Sequence, residues 1–457
     1  MTVKAVIGKN FGDEGKGQTV DLLCRESRGR NVLVLRHNGG AQAGHTVEDG
    51  DFRFVFHQLG SGSHQGCPTY WCRTFLPDLL KLGEEMSDMR QAGMNIQTVY
   101  AHPDCACVTV YDVLLNSLTE QLRGRDRHGS CGMGIFETVL RTENAPYALF
   151  LRDFENAKGG TAETDIAERL CYIRNHYTIP RLAELKTEHP DAFRDPDIRR
   201  WAELITDDNV LYNAAEIMCE NYRRYVTLAD WPHTAEQYDV LIFESGQGLM
   251  LDWDNEEYAP HLTASHTGMK NVAELLAELE GSDSPGGTDS SEQSDGTDSS
   301  EQSSRPDNPE QSGGTDSPKQ SDRPGKTDIS TLEIIYVTRT YVTRHGAGRL
   351  DHECPGEAVC PGMTDRTNVF NPWQEHLRYG RHPAGEDFFR YIRRDLEQLE
   401  YILPRQPFSV SLYLTHLDET QGRVLFSDGD RNFEEFCLYC RNEAAHLQLY
   451  CITLDTA

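Results

Sequence analysis

The start of the chain constrains its fold most. An apolar run, Val3–Ile7, feeds directly into Gly8-Lys9-Asn10-Phe11-Gly12-Asp13-Glu14-Gly15-Lys16-Gly17, and a helical pattern follows over Gly17–Arg25. Strand, tight loop and helix in that order open a parallel βαβ arrangement. Glycines let backbone amides approach an anion, the helix N-terminus favours negative charge, and Lys16 adds a point charge. A phosphate group suits such a loop. The loop is not a Walker A sequence, because Asn10 and Gly17 stand where that pattern needs Gly and Ser or Thr. Nor is it a Gly-x-Gly-x-x-Gly dinucleotide loop. Asp13 and Glu14 would repel a phosphate unless a metal intervenes or one of them is a base.

Strand and helix signals alternate along the rest of the chain. Strands are expected at Val3–Ile7, Asn31–Leu35, Val240–Glu244, Ile334–Val342, Ser409–Leu414 and Leu447–Thr453. Several are continuous apolar runs, as in strands buried on both faces. Helices are expected at Gly17–Arg25, Leu211–Leu228 and Asp387–Tyr401, the last with Phe388, Tyr391, Ile392, Leu396 and Leu399 at helical spacing. The fold class is therefore α/β, a large, mostly parallel central sheet flanked by helices. Residues 281–328 interrupt it with Ser, Gly, Asp, Thr, Pro and Gln, and GTDSSEQS occurs at 287–294 and again at 296–303. Such a segment buries too little to offset its ordering entropy and is expected to be disordered. We read it as an insertion in a single α/β domain made of 1–280 and 329–457. The alternative is a linker between two domains, and the two differ in whether the flanking halves share one site.

Charge narrows the function. Of 457 residues, 44 are Lys or Arg and 73 are Asp or Glu, a net −29. A chain this acidic repels phosphate backbones globally, so nucleic acid is not expected as a partner, although a local basic pocket for a nucleotide is compatible. Only nine basic residues are Lys. A salt-adapted cytoplasm and an ordinary acidic protein both fit that balance. No apolar run reaches the ~18–20 residues of a membrane span, and MTVKAVIG lacks the features of a signal peptide. A cytoplasmic protein without membrane partners is expected. The 13 Cys are scattered, and Cys105/Cys107 and Cys437/Cys440 read as reduced thiols rather than zinc ligands.

A second cluster, Arg36-His37-Asn38-Gly39-Gly40-Ala41-Gln42-Ala43-Gly44-His45-Thr46, follows the second strand. Loops at strand carboxyl ends line the crevice of an open α/β sheet, so both clusters should face one place. Together with His57-Gln58-Leu59-Gly60-Ser61-Gly62, these stretches resemble the adenylosuccinate synthetase family. Colinear motifs extend the resemblance to residue 418. They are Phe243-Glu244-Ser245-Gly246-Gln247-Gly248-Leu249-Met250-Leu251-Asp252, Thr263-Ala264-Ser265, Tyr341-Val342-Thr343-Arg344-His345-Gly346-Ala347-Gly348 and Thr415-His416-Leu417-Asp418.

The resemblance implies a P-loop-NTPase-like synthetase fold and a ligase that forms a C–N bond in purine biosynthesis. It would join IMP to L-aspartate at the expense of GTP, with Mg2+, through a 6-phosphoryl-IMP intermediate. Asp13 would be the base on the purine, His45 the acid on its 6-oxygen, Lys16 the charge on the transferring phosphoryl, and Gln247 a purine contact. Asp13 and the Gly44 carbonyl would hold the metal. Gly12, Glu14, Gly15, Gly17, Thr46, Thr415 and Asp418 would complete the GTP site, Asp418 reading the guanine edge. Gln42, Ser130 and Thr263 would join Asp13 and Gln247 around IMP. Arg141 would reach the IMP of a neighbouring subunit, which implies a homodimer.

Departures from the family pattern bear on specificity. His416 stands where the family has Lys, which opens ATP as a donor. A run from Asp365 to Arg378 resembles the short archaeal and phage branch and makes Thr367, Asn368 and Arg378 the expected aspartate contacts; Arg forks bidentately onto carboxylates. The phage-type reaction on dGMP (a 2-aminoadenylosuccinate synthetase), a paralogue using another amine, and a non-catalytic nucleotide-binding regulator are the alternatives.

Overall fold

The computed structural model describes residues 1–124, 132–155, 162–281, 329–359, 376–444 and 449–453. Nine parallel strands form one sheet. In chain order they are β1 (Thr2–Gly8), β2 (Val32–Arg36), β3 (Thr69–Trp71), β4 (Val99–Ala101), β5 (Val226–Leu228), β6 (Val240–Gly248), β7 (Thr331–Arg339), β8 (Ser409–Thr415) and β9 (Leu449–Thr453). Their spatial order is β9-β8-β7-β1-β6-β2-β3-β4-β5. The chain leaves β1, builds outward from β2 to β5, returns to place β6 between β1 and β2, and then builds the other way from β7.

Each of the six expected strands has its counterpart in this sheet, but Ile334–Val342 leaves it at Arg339, Val342 belongs to a separate small sheet, and residues 447 and 448 lie outside the described residues. The expectations missed β3, β4 and β5, each three residues long, too short for a periodic signal. The expected helix Leu211–Leu228 is helical over Asp208–Tyr225, but its last three residues are β5. Val226 and Thr227 are β-branched, and pairing with Val99 and Tyr100 outweighs continuing the helix. The segment Asp387–Tyr401 enters through a 3-10 turn, Gly385–Phe389, before the helix Arg390–Ile402.

Side chains alternate across the sheet. Val3, Ala5, Ile7, Leu241 and Phe243 pack with the helices Met269–Glu280 and Arg390–Ile402. Val6, Val240 and Ile242 face the helix Lys16–Glu26. A separate core joins the helices between residues 79 and 225 beyond the β3–β5 edge. The sheet runs through both sides of the insertion, since β1 lies between β6 and β7 and pairs with each. Apart from Gly281, the insertion lies outside the described residues. No helix among the described residues is long and apolar enough to cross a membrane.

Candidate active site

Parallel strands bring their carboxyl ends to one edge. There the loops after β1, β2, β6, β7 and β8 meet. Gly15 caps the helix Lys16–Glu26 with φ 88°, a left-handed backbone that suits glycine. A Cβ on Gly17 would lie 2.9 Å from the Thr46 carbonyl oxygen and 3.0 Å from the His45 Cβ. Glycine there lets the helix start against the strand His45–Asp49, so the two sequence clusters touch.

The loop is braced from within. Glu14 is 2% exposed, and its carboxylate accepts the amides of Asn10 at 2.8 Å and Gly12 at 3.1 Å. Burial pushes its pKa up, against the nearby Lys16 and the loop amides. From β8, the Thr415 hydroxyl donates to the Glu14 carbonyl at 2.8 Å. The side chains of Glu14 and Thr415 thus fix the loop's shape. Lys16 is buried and donates to the Gly12 carbonyl at 2.5 Å; burial lowers its pKa, while Glu14, Asp13 and Glu244 oppose that. Asp13 is the open member, with one third of its side chain exposed and His345 Nε2 at 3.8 Å. Arg339 donates to its carbonyl.

Opposite the loop, His45 is buried, and its Nδ1 lies 2.5 Å from Glu244 Oε1. Burial lowers the His45 pKa to about 4, with Glu244 opposing. Burial would raise the Glu244 pKa, but His45, Arg36 and Ser61 hold it down at about 2. At neutral pH the pair is a neutral imidazole on a carboxylate.

Several buried polar atoms around this pair have no hydrogen-bond partner among the described residues. They are His45 Nε2, Asn38 Nδ2, both amide atoms of Gln42 and Gln247 Oε1. A Cβ on Gly39 would lie 2.8 Å from Gln42 Nε2 and 3.2 Å from Gln247 Oε1, so both amides flank one point. Asn38 is held by its other end, where Oδ1 accepts the Gly246 amide at 2.7 Å. Leaving buried polar groups unsatisfied costs ~1–3 kcal/mol each. A convergent set of them is what a polar ligand would satisfy.

The remaining expected residues are placed differently. Thr46 and Thr263 are half-buried, and Asp418 and Gly44 are exposed. Arg378 forks onto Glu353 at 2.9 and 2.5 Å and donates to the Gly346 and Gly348 carbonyls, so its guanidinium is already held within the chain. Arg141 corrects an expectation. It is fully buried, it binds Asp112 through Nε at 2.8 Å and Nη2 at 2.9 Å, and its other contacts are the Cys107 and Tyr147 carbonyls. A fully buried guanidinium with most of its donors engaged inside its own subunit is not presented to a neighbouring one. Ser130, Thr367 and Asn368 lie outside the described residues.

Contributors that went unassigned in the sequence include Glu244, Ser61 and His345. Glu244 had a readable signal, an acid closing a buried apolar strand. Ser61 and His345 had none, because their contacts cross long sequence separations. Cys105 and Cys107 are buried free thiols. Among the described residues, Asp252, Asp254 and His266 also bring ligand atoms within 4.8 Å of one another, but the Lys270 ammonium already binds His266 and Asp254 there.

A family model for adenylosuccinate synthetase matches residues 5–156. The adenylosuccinate synthetase of Lactobacillus johnsonii is 28% identical over 282 residues, 60% of this chain and 58% of that protein. That of Anaeromyxobacter sp. (strain K) is 29% identical over 272 residues, 58% of this chain and 56% of that protein. Over these residues the chain is similar to adenylosuccinate synthetases. The match spans less than two thirds of these synthetases' length. A fully ligated adenylosuccinate synthetase from Plasmodium falciparum shares the fold, with TM-score 0.54 and 17% identity over 93% of this chain and 80% of that one.

Proposed function

We propose that this synthetase-family chain is a purine nucleotide ligase that condenses IMP with L-aspartate to adenylosuccinate, driven by GTP. The observation that supports the reading is that the segments after β1, β2 and β6, which carry Asp13, Lys16, His45 and Gln247, pack against one another at one edge of the sheet. In this reading Asp13 takes the N1 proton of IMP, and the electron pair moves to O6. An O6–P bond forms as the γ-phosphate bond to GDP breaks. Lys16 offsets the charge on the transferring phosphoryl, and His45 acts as the acid on O6 once its Nε2 has taken up a proton. The aspartate amine then attacks C6, loses a proton, and phosphate leaves with O6. Such transfer is mostly positioning and electrostatics.

Gly12, Gly15, Gly17, Thr46, Thr415 and Asp418 would line the donor nucleotide, with the Glu14 side chain as the loop's internal brace. Gln42, Gln247, Ser130 and Thr263 would hold IMP, and Thr367, Asn368 and Arg378 aspartate. The Asp13 carboxylate and the Gly44 carbonyl are hard oxygen donors at open positions, a set that fits Mg2+ shared with phosphate oxygens. These two groups would hold the ion, which supplies charge neutralisation at the phosphates. A single α/β domain, a homodimer and a cytoplasmic location complete the proposal.

The test is phosphate release with products read by mass. IMP or dGMP is offered with GTP or ATP, each with and without aspartate, in magnesium buffer at low and high salt. Aspartate-dependent adenylosuccinate from IMP and GTP is the expected result. Turnover of dGMP alone replaces the acceptor, and turnover with ATP alone replaces the donor. No release from folded protein under any combination overturns the reading.

A further inference from the structure

Glu244 has no role in the proposed chemistry, yet it is the most heavily engaged carboxylate at the site. It is fully buried at the end of the apolar run Val240–Phe243. In the sheet register it stands beside Val6 of β1 and Arg36 of β2. Its Oε1 accepts His45 Nδ1 and the Ser61 hydroxyl, both at 2.5 Å, and its Oε2 accepts the Ser61 amide at 2.9 Å. An ionised carboxylate only accepts, so the proton on a neutral His45 ring must sit on Nδ1. Nε2 then carries a lone pair and is the ring nitrogen left without a partner among the described residues.

We propose that Glu244 is a positioning residue that fixes the tautomer and ring orientation of His45, so that Nε2 is the nitrogen presented to the ligand. Ser61 and Arg36 hold Glu244 in turn. Arg36 is anchored by its Nη1 to the Leu59 carbonyl at 3.1 Å, and a buried carboxylate needs such charge and hydrogen-bond support to stay ionised. The arrangement matches the rule that a histidine's working nitrogen is set by what its other nitrogen binds. The kinetic part of this inference rests on the synthetase reading; the tautomer part does not.

The test uses the ligand-free full chain labelled with 15N-histidine, with His45 assigned by comparison with His45→Gln. Long-range 1H–15N correlations at pH 7.5 should show a single His45 tautomer, protonated at Nδ1. Glu244→Gln is nearly isosteric and offers both a donor and an acceptor, so a mixed or inverted tautomer is expected. Ser61→Ala leaves the His45 contact in place and should keep the wild-type tautomer, which separates positioning from general disruption. With active enzyme, Glu244→Gln should lower kcat by up to about 10⁴-fold with KM little changed, the loss seen when an orienting carboxylate of a catalytic histidine becomes an amide. A wild-type His45 protonated at Nε2, or an unchanged tautomer in folded Glu244→Gln, overturns the proposal. The expected tautomers in a protein without ligase activity support it and sink the synthetase reading instead.

Discussion

The two walls of the site are built on opposite terms. On the wall from β1, β2 and β6, Asn38, Gln42, Gln247 and His45 keep buried polar atoms without partners among the described residues. On the wall from β7 and β8 and the loops after them, Arg344 Nε and His345 Nδ1 also lack partners among the described residues, but the larger side chains are anchored within the chain. Arg378 is forked by Glu353, Arg344 donates to the Arg349 and His261 carbonyls, and Thr415 braces the loop after β1. Idle buried groups cost stability in the free protein and return it when a ligand arrives. Groups already paired stabilise the free protein and must be released to serve a ligand. The first wall is pre-organised for a polar ligand; the second is organised for the fold.

Substitutions can break that contrast, beginning with the largest effect. Asp13→Asn on the first wall should reduce turnover by ~10²–10⁴-fold, the usual worth of a general base, with the melting temperature unchanged because Asp13 is open. Calorimetry beside the phosphate-release assay checks both halves. Arg141→Leu falls in neither wall. It should cost ~3–5 kcal/mol, because both members of the pair are fully buried and Asp112 is left without its guanidinium; denaturant unfolding measures it. Gln247→Leu should raise the KM for the purine nucleotide about tenfold while stability holds or rises, since it removes a buried atom with no partner. Arg378→Leu on the second wall should leave the KM for the purine nucleotide unchanged and lower stability by up to ~1 kcal/mol, as for a partly exposed ion pair. If both variants behave alike, the contrast between the walls fails.

Acid should weaken the first wall in particular. Burial holds the pKa of His37 at about 3 and that of His45 at about 4, both below the ordinary histidine value. The folded state therefore binds fewer protons than the unfolded one as pH falls below about 6.5. Their contribution is complete above that value and is lost progressively toward pH 4 and 3. Melting temperatures taken between pH 7.5 and 4 should fall, and His37→Leu should flatten the slope. The smallest effect is expected from replacing 282–328 with a short Gly/Ser linker. β7 begins at Thr331 on the amino edge of the sheet, away from the site, so stability and turnover should change by no more than ~0.5 kcal/mol equivalent.

Local chemistry made the centre of the fold readable. Val3–Ile7 before Gly8–Gly17 specifies a strand, an anion loop and a helix with no help from the rest of the chain, and the long apolar strands announce themselves by unbroken runs. The three-residue strands β3, β4 and β5 carry no such run and exist because neighbours pair with them. Asp13, Lys16 and His45 were legible because each sits among glycines beside a strand end, where side chains meet ligands. Their partners were not. Sequence by itself placed Glu244, Arg141 and Arg378 in motifs, but what each side chain touches was decided by tertiary packing. Burial forces a charged group to find its counter-charge wherever the fold brings one. Glu244 finds His45 across 199 positions, and Arg141 turns inward to Asp112 instead of outward to a neighbour.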